Sequence, residues 1–192
     1  VNMTLEKNRK NNPDGNYWSY RRVKLILDNT VEYQNKVYER VEELIKENNS
    51  KCVFDVGCGF TTKLNDYIIP HVDKVYGLDQ QSAIDANKQY LKNDDKVNYI
   101  LCDFDDEEQL NLVNIEDEPD IIICSDVIEH VLHPDILLKF IKGLAKKNTF
   151  IILSTPERDA ERGVNCIKSN KAEHVRKWNK SEFNKYISYM WF

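Results

Sequence analysis

The segment DVGCGFTTKL, residues 55–64, follows a short apolar run and carries two glycines two positions apart. Glycine adopts backbone conformations that a Cβ forbids, so the spacing predicts a tight turn from a strand into a helix, open to close approach by a ligand. A pyrophosphate-binding turn would add the third glycine of G-x-G-x-x-G, and a triphosphate loop would add its own lysine pattern. Neither is present: the chain runs on as Phe60-Thr61-Thr62.

Working outward, apolar runs of strand length recur at 51–56, 74–78, 97–101, 120–124 and 149–153. Between them lie stretches with helical spacing at 31–48, 62–69, 82–91, 107–113 and 134–146, and a last one at 180–189. Val37, Val41, Leu44 and Ile45 show the pattern best, and Pro134 stands where a helix begins. Strands that alternate with helices predict an α/β fold with a doubly wound, mainly parallel sheet. Ligands of such sheets bind beyond the carboxyl ends of the strands.

Composition narrows the function. The 192 residues, 41% hydrophobic and 31% charged, suit one soluble domain. With 27 basic against 32 acidic residues the net charge is -5, which argues against a nucleic-acid partner that would need clustered cations. Cysteines stand at 52, 58, 102, 124 and 166 without a C-x-x-C pair and read as reduced thiols, so a cytoplasmic location is expected. No apolar run is long enough to predict a membrane span, and the polar beginning does not read as a signal peptide.

The strand ends carry the chemistry. Asp79 follows the second strand, where a carboxylate can accept both hydroxyls of a ribose. Asp103 and Phe104 follow the third, an acid and an aromatic suited to an adenine amino group and ring face. After the fourth comes Cys124-Ser125-Asp126-Val127-Ile128-Glu129-His130. A helical turn there would bring Asp126, Glu129 and His130 together. Two uses fit that set: His130 as general base, or Glu129 and His130 as ligands of a divalent ion with Asp126 in support.

Taken in order, VFDVGCGF, VYGLDQ, LCDFDD, DIIICSDVIEHVLHP and FIILSTPERD resemble the class I S-adenosylmethionine-dependent methyltransferases over roughly residues 30–190. The resemblance implies a Rossmann-like fold and S-adenosylmethionine as cofactor, with S-adenosylhomocysteine as product. It implies that Asp55, Gly57 and Gly59 line the methionine end, Asp79 holds the ribose, and Asp103 and Phe104 frame the adenine. Cys58, Gln80 and Ser125 complete the expected cofactor-binding set. The absent third glycine then makes sense, because this cofactor has no pyrophosphate.

His130, His174 and Glu129 are the expected catalytic residues, with His130 the base. The D-x-x-E-H pattern is similar to the E-x-x-E-H of ubiquinone-pathway O-methyltransferases and small-RNA 2′-O-methyltransferases that use a divalent ion. Asp126 replaces the first glutamate, so the expectation is no metal, with Asp126, Glu129, His130 and His174 as the alternative ligand set.

STPERDAERG after the fifth strand, and NKAEHVRKWNKSEFNKYI beyond it, resemble loops of methyltransferases from bacterial surface-glycan clusters. They predict a long aperiodic loop that returns His174 to the acceptor, with Arg158, Arg162 and Arg176 meeting anionic or hydroxyl-rich groups. The competing reading has Trp178 merely stapling a helix. Asn16-Tyr17-Trp18-Ser19-Tyr20-Arg21-Arg22 suits a lid or a buried anchor, so residues 1–30 are expected to form an arm and 31–192 the methyltransferase domain. Enzymes of this class continue into two more strands, whereas this sequence ends at Phe192, so a truncated C-terminus is expected.

The expected reaction is O-methylation of a sugar, a glycan precursor or another small polar metabolite. Metal-dependent RNA 2′-O-methylation and a non-catalytic cofactor- or partner-binding domain are the alternatives.

Overall fold

A computed structural model describes residues 20–27, 34–91, 94–164 and 174–191. Five parallel strands form one sheet: β1 (Cys52–Val56), β2 (Lys74–Asp79), β3 (Val97–Leu101), β4 (Ile121–Ser125) and β5 (Phe150–Ser154), in the order β3-β2-β1-β4-β5. The central pairings run Phe54 against Tyr76 and Phe54 against Ile122. The strands read as unbroken apolar runs because both faces of the sheet are covered. Successive side chains divide between them: Val53, Val75, Ile121 and Ile123 pack on one face, Phe54, Val56, Ile122 and Cys124 on the other.

Helix α1 spans Tyr20–Leu27 and α2 spans Asn35–Asn48; α2 buries Tyr38, Val41 and Ile45 on the first face. Helices α3 (Gln81–Tyr90) and α4 (Glu107–Leu112) precede α5 (Pro134–Leu144), which packs Leu137, Leu138 and Ile141 on the second face. Each such side chain, once buried, contributes about 1.5–3 kcal/mol.

One element departs from expectation. The 62–69 stretch does not continue as an α-helix; it widens into a π-turn over Leu64–Ile68, with Ile69 N–H bonded to Leu64 C=O, and then tightens into a 3₁₀ turn at Ile69–His71. Pro70 supplies the cause, since it has no N–H and its ring crowds the preceding turn.

The region after β5 also differs, because the expected aperiodic loop contains a short helix α6 (Arg158–Arg162) capped by Glu157, whose carboxylate accepts from Ala160 N–H. The last helix, α7 (Lys180–Trp191), starts with a reciprocal cap. Asn179 Oδ1 accepts from Glu182 N–H, and Glu182 Oε2 accepts from Asn179 N–H. Trp178 lies on Phe183 and Tyr186 just outside that cap, so the stapling role expected as the alternative is what the ring performs.

In α1 the side chain of Val23 is fully buried and packs in one cluster with Phe60 of the glycine turn and Ala86 of α3. Residues 16–19 of the aromatic stretch, the side chains of Tyr20, Arg21 and Arg22, and Cys166 lie outside the described residues. No helix among the described residues is long and apolar enough to cross a membrane.

Candidate active site

The glycine turn is built for close packing. Gly57 has φ +81°, and a Cβ there would fall 2.2 Å from Cγ2 of Val127, so this glycine admits a side chain from the segment after β4. Its N–H donates to Leu78 C=O at 2.7 Å, holding the turn to β2. Gly59, at φ 55°, donates its N–H to Asp79 Oδ2 at 2.7 Å and accepts from Asn87 Nδ2 at 2.8 Å.

Asn87 Oδ1 also receives Thr61 N–H at 2.8 Å and Thr61 Oγ1 at 3.0 Å, and Thr61 Oγ1 meets Tyr99 Oη. A buried amide on α3 thus orders the turn at Gly59 and Thr61. Asn87 was not singled out in the sequence, although an amide on the same helix face as Ala83, Ile84 and Ala86 was a visible signal. Cys58 points its thiol inward, since a Cβ on Gly77 would lie 3.0 Å from its Sγ. What Cys58 offers the turn side is backbone.

Two acids sit behind this turn. Asp55 is fully buried; Oδ2 accepts from Tyr38 Oη at 2.8 Å, and Oδ1 has no hydrogen-bond partner in the structure. Burial pushes its carboxyl up to about 7, against the opposing Tyr38 hydrogen bond. Asp79 is pushed up to about 6, again by burial, with the Gly59 and Gln80 amides pulling the other way. Its Oδ1 takes Gln80 N–H at 2.7 Å, so each oxygen holds one amide and retains a lone pair for a hydroxyl.

These shifts predict a pH dependence of the ligand-free protein. Both folded-state values lie above the unfolded one, so between about pH 4 and 7 the folded state binds more protons and stability falls as pH rises. Asp55→Asn should therefore gain about 2–4 kcal/mol over wild type in urea unfolding near pH 8, with the gain vanishing near pH 4. An equal effect at both pH values would contradict a raised Asp55.

At the β3 end, Asp103 N–H donates to Gln109 Oε1 at 2.5 Å, and Asp103 Oδ1 accepts from Asp105 N–H at 3.0 Å. Phe104 is 8% exposed and packs in the core with Cys102 and Leu110, leaving only a margin of its ring outward. At the β4 end Ser125 Oγ pairs with Ser154 Oγ at 2.8 Å, and its carbonyl accepts Gln34 Nε2 at 3.0 Å.

Beyond β4 the chain turns at Asp126, whose φ is 54°, and closes with His130 N–H on Val127 C=O at 2.8 Å. Glu129 is fully buried, with Oε2 accepting from Thr155 Oγ1 at 3.1 Å and Oε1 lying 3.8 Å from His130 Nε2. The His130 and His174 rings meet edge to face, centroids 4.7 Å apart. One ligand atom from each of Glu129, His130 and His174 lies within 4.8 Å of the others.

Val175 N–H on Glu129 C=O, at 2.8 Å, brings His174 back to this turn. Asp126 does not join the cluster: its Oδ1 accepts from Ser154 Oγ at 2.9 Å, because the left-handed backbone at 126 turns it toward β5. Thr155, missed in the sequence, takes the place beside Glu129.

The arginines also sit differently. Arg158 is held by Asp159 and by both carboxylate oxygens of Glu182, so it serves the α6–α7 junction and not an acceptor. Arg176 donates from Nη2 to Leu132 C=O at 2.7 Å and covers Trp178 at 5.7 Å. The side chain of Arg162 lies outside the described residues.

A parallel sheet in this order, with glycines and acids at its carboxyl edge, defines a Rossmann-like class I methyltransferase fold. The family model described as a methyltransferase domain matches residues 17–190, and the chain belongs to that family of S-adenosylmethionine-dependent methyltransferases. It is 30% identical over 122 residues to the ubiquinone biosynthesis O-methyltransferase of Hydrogenovibrio crunogenus (strain DSM 25203 / XCL-2), a match that covers 61% of this chain and 48% of the relative. The chain thus spans about half the length of that curated relative.

Among solved structures, it is similar to the plantazolicin methyltransferase BpumL in complex with a pentazolic desmethylPZN analogue and S-adenosylhomocysteine. The TM-score is 0.66 at 18% identity, over 98% of this chain and 76% of that one. The methyltransferase domain of bacterial CtHen1-C matches with a TM-score of 0.60 at 20% identity, over 81% of this chain and 82% of that one.

Proposed function

We propose that this protein transfers the methyl group of S-adenosylmethionine to a hydroxyl of a sugar, a glycan precursor or another small polar metabolite. The observation that carries the reading is the packing of Glu129, His130 and His174 within 4.8 Å at the end of β4. An imidazole backed by a buried carboxylate is suited to an acceptor whose proton must leave. The relative's name, an O-methyltransferase, agrees with oxygen as the acceptor atom.

Asp55, Gly57, Cys58, Gly59, Asp79, Gln80, Asp103, Phe104 and Ser125 would hold the cofactor. Bound there, it supplies a methyl group on a sulfonium, so good a leaving group that the protein's work is positioning and proton removal. His130, a quarter exposed in its side chain, takes the hydroxyl proton. Glu129 stabilises the imidazolium that results, and Thr155 holds Glu129 in place. His174, 3% exposed, fixes the plane of the His130 ring.

The three clustered donors favour a second reading, in which Glu129, His130 and His174 hold a divalent ion that polarises an RNA 2′-hydroxyl. One experiment separates them. Purified protein is given methyl-labelled cofactor with nucleotide-linked sugars, a hydroxylated ubiquinone precursor, or small RNAs, each with and without magnesium or manganese. Labelling of a small hydroxyl compound without added metal is expected, in keeping with a net charge of -5. Metal-dependent labelling of RNA ends alone would replace the first reading by the second.

A further inference from the structure

We propose that Asp105 is a positioning residue that holds the Glu129–His130 turn from the loop after β3, tying the adenine end of the site to the acceptor end. The naming of those two ends rests on the methyltransferase reading above. Asp105 Oδ1 accepts two consecutive amides, Leu132 N–H at 2.8 Å and His133 N–H at 2.9 Å, between His130 and the start of α5. Its own N–H donates to Asp103 Oδ1 at 3.0 Å. One residue therefore touches the acid expected at the adenine and the segment that carries the histidine.

Leu132 is gripped from the other side as well. Its carbonyl accepts Arg176 Nη2 at 2.7 Å, and the Arg176 segment bonds through Val175 N–H to Glu129 C=O at 2.8 Å. The turn itself closes through His130 N–H on Val127 C=O, a contact that by itself leaves its far end, at Leu132 and His133, unanchored. Asp105 and Arg176 supply that anchor. The charge of Asp105 adds to its fit, because its two bonds are charge-assisted and it faces the amino end of α5, where orphan amides favour an anion.

The test reads ring position and cofactor affinity separately. In ¹⁵N-labelled protein saturated with S-adenosylhomocysteine, Asp105→Ala should shift or broaden the imidazole signals of both His130 and His174. Calorimetric affinity for S-adenosylhomocysteine should stay within about tenfold of wild type, since Asp105 is placed on the turn and not on the ligand. Asp105→Asn, which keeps an acceptor oxygen, should return the ring signals toward wild type.

Unchanged ring signals in Asp105→Ala, an Asn variant no different from Ala, or a larger affinity loss would overturn the proposal. Should Asp105→Ala not fold, wild type decides: protected Leu132 and His133 amides support the grip, and free exchange refutes it. If wild type does not bind S-adenosylhomocysteine, the functional reading falls, while the ring signals of ligand-free protein still report on Asp105.

Discussion

His130→Ala should lower the rate of methyl transfer about 10²–10⁴-fold, the range expected when a positioned general base is lost. The affinity for S-adenosylhomocysteine should hardly change, because His130 belongs to the turn after β4 and is not among the expected cofactor contacts, which lie at the ends of β1, β2 and β3 and at Ser125. Single-turnover labelling of a hydroxyl acceptor, with cofactor saturating, separates the chemical step from binding. Glu129→Gln should fall in the same direction by a smaller factor: it keeps the Thr155 contact at 3.1 Å but loses the charge 3.8 Å from Nε2. A His130→Ala rate close to wild type would move the base elsewhere. Loss of bound manganese in the same variant, together with loss of activity, would favour the divalent-ion reading.

Asp79→Ala should weaken binding of S-adenosylhomocysteine by about 1.5–3 kcal/mol, from lost charge-assisted bonds to the ribose and from a loosened turn. The second cause comes from the structure, since Asp79 holds Gly59 N–H on one oxygen and Gln80 N–H on the other. Asp79→Asn can keep only one of those oxygens as an acceptor and should lie between alanine and wild type. Calorimetry measures the loss, and a melting curve without ligand shows whether the fold survives. Binding at wild-type strength by Asp79→Ala would remove Asp79 from the cofactor site and leave it as a tie between β1 and β2.

Much of the fold was legible along the chain. Five apolar runs became five parallel strands whose ends moved by a residue or so, with Asp79, Ser125 and Ser154 joining them. Continuous apolar runs are local facts, as is a proline at a helix start, and both survive folding unchanged. The 62–69 segment failed because hydrophobic spacing does not distinguish an α-helix from a π-turn forced by Pro70. Asp126 failed for a related reason: spacing to Glu129 and His130 presumes helical backbone, and φ at 126 is 54°.

The sequence by itself determined the class of sheet, the acids and glycines at its carboxyl edge and the pairing of Glu129 with His130, because adjacent residues and strand ends are set by covalent order. Tertiary structure alone decided which distant groups meet. Asn87 ties Gly59 and Thr61 through a helix packed on the turn, and Gly57 admits Val127 from the segment after β4, the neighbouring strand in the sheet. His174 returns to His130, 44 positions earlier in the chain, because Val175 bonds Glu129. Arg158 was diverted from the acceptor for the same physical reason: Glu182 on the final helix offers both its oxygens, and a guanidinium takes the carboxylate that packing brings within reach.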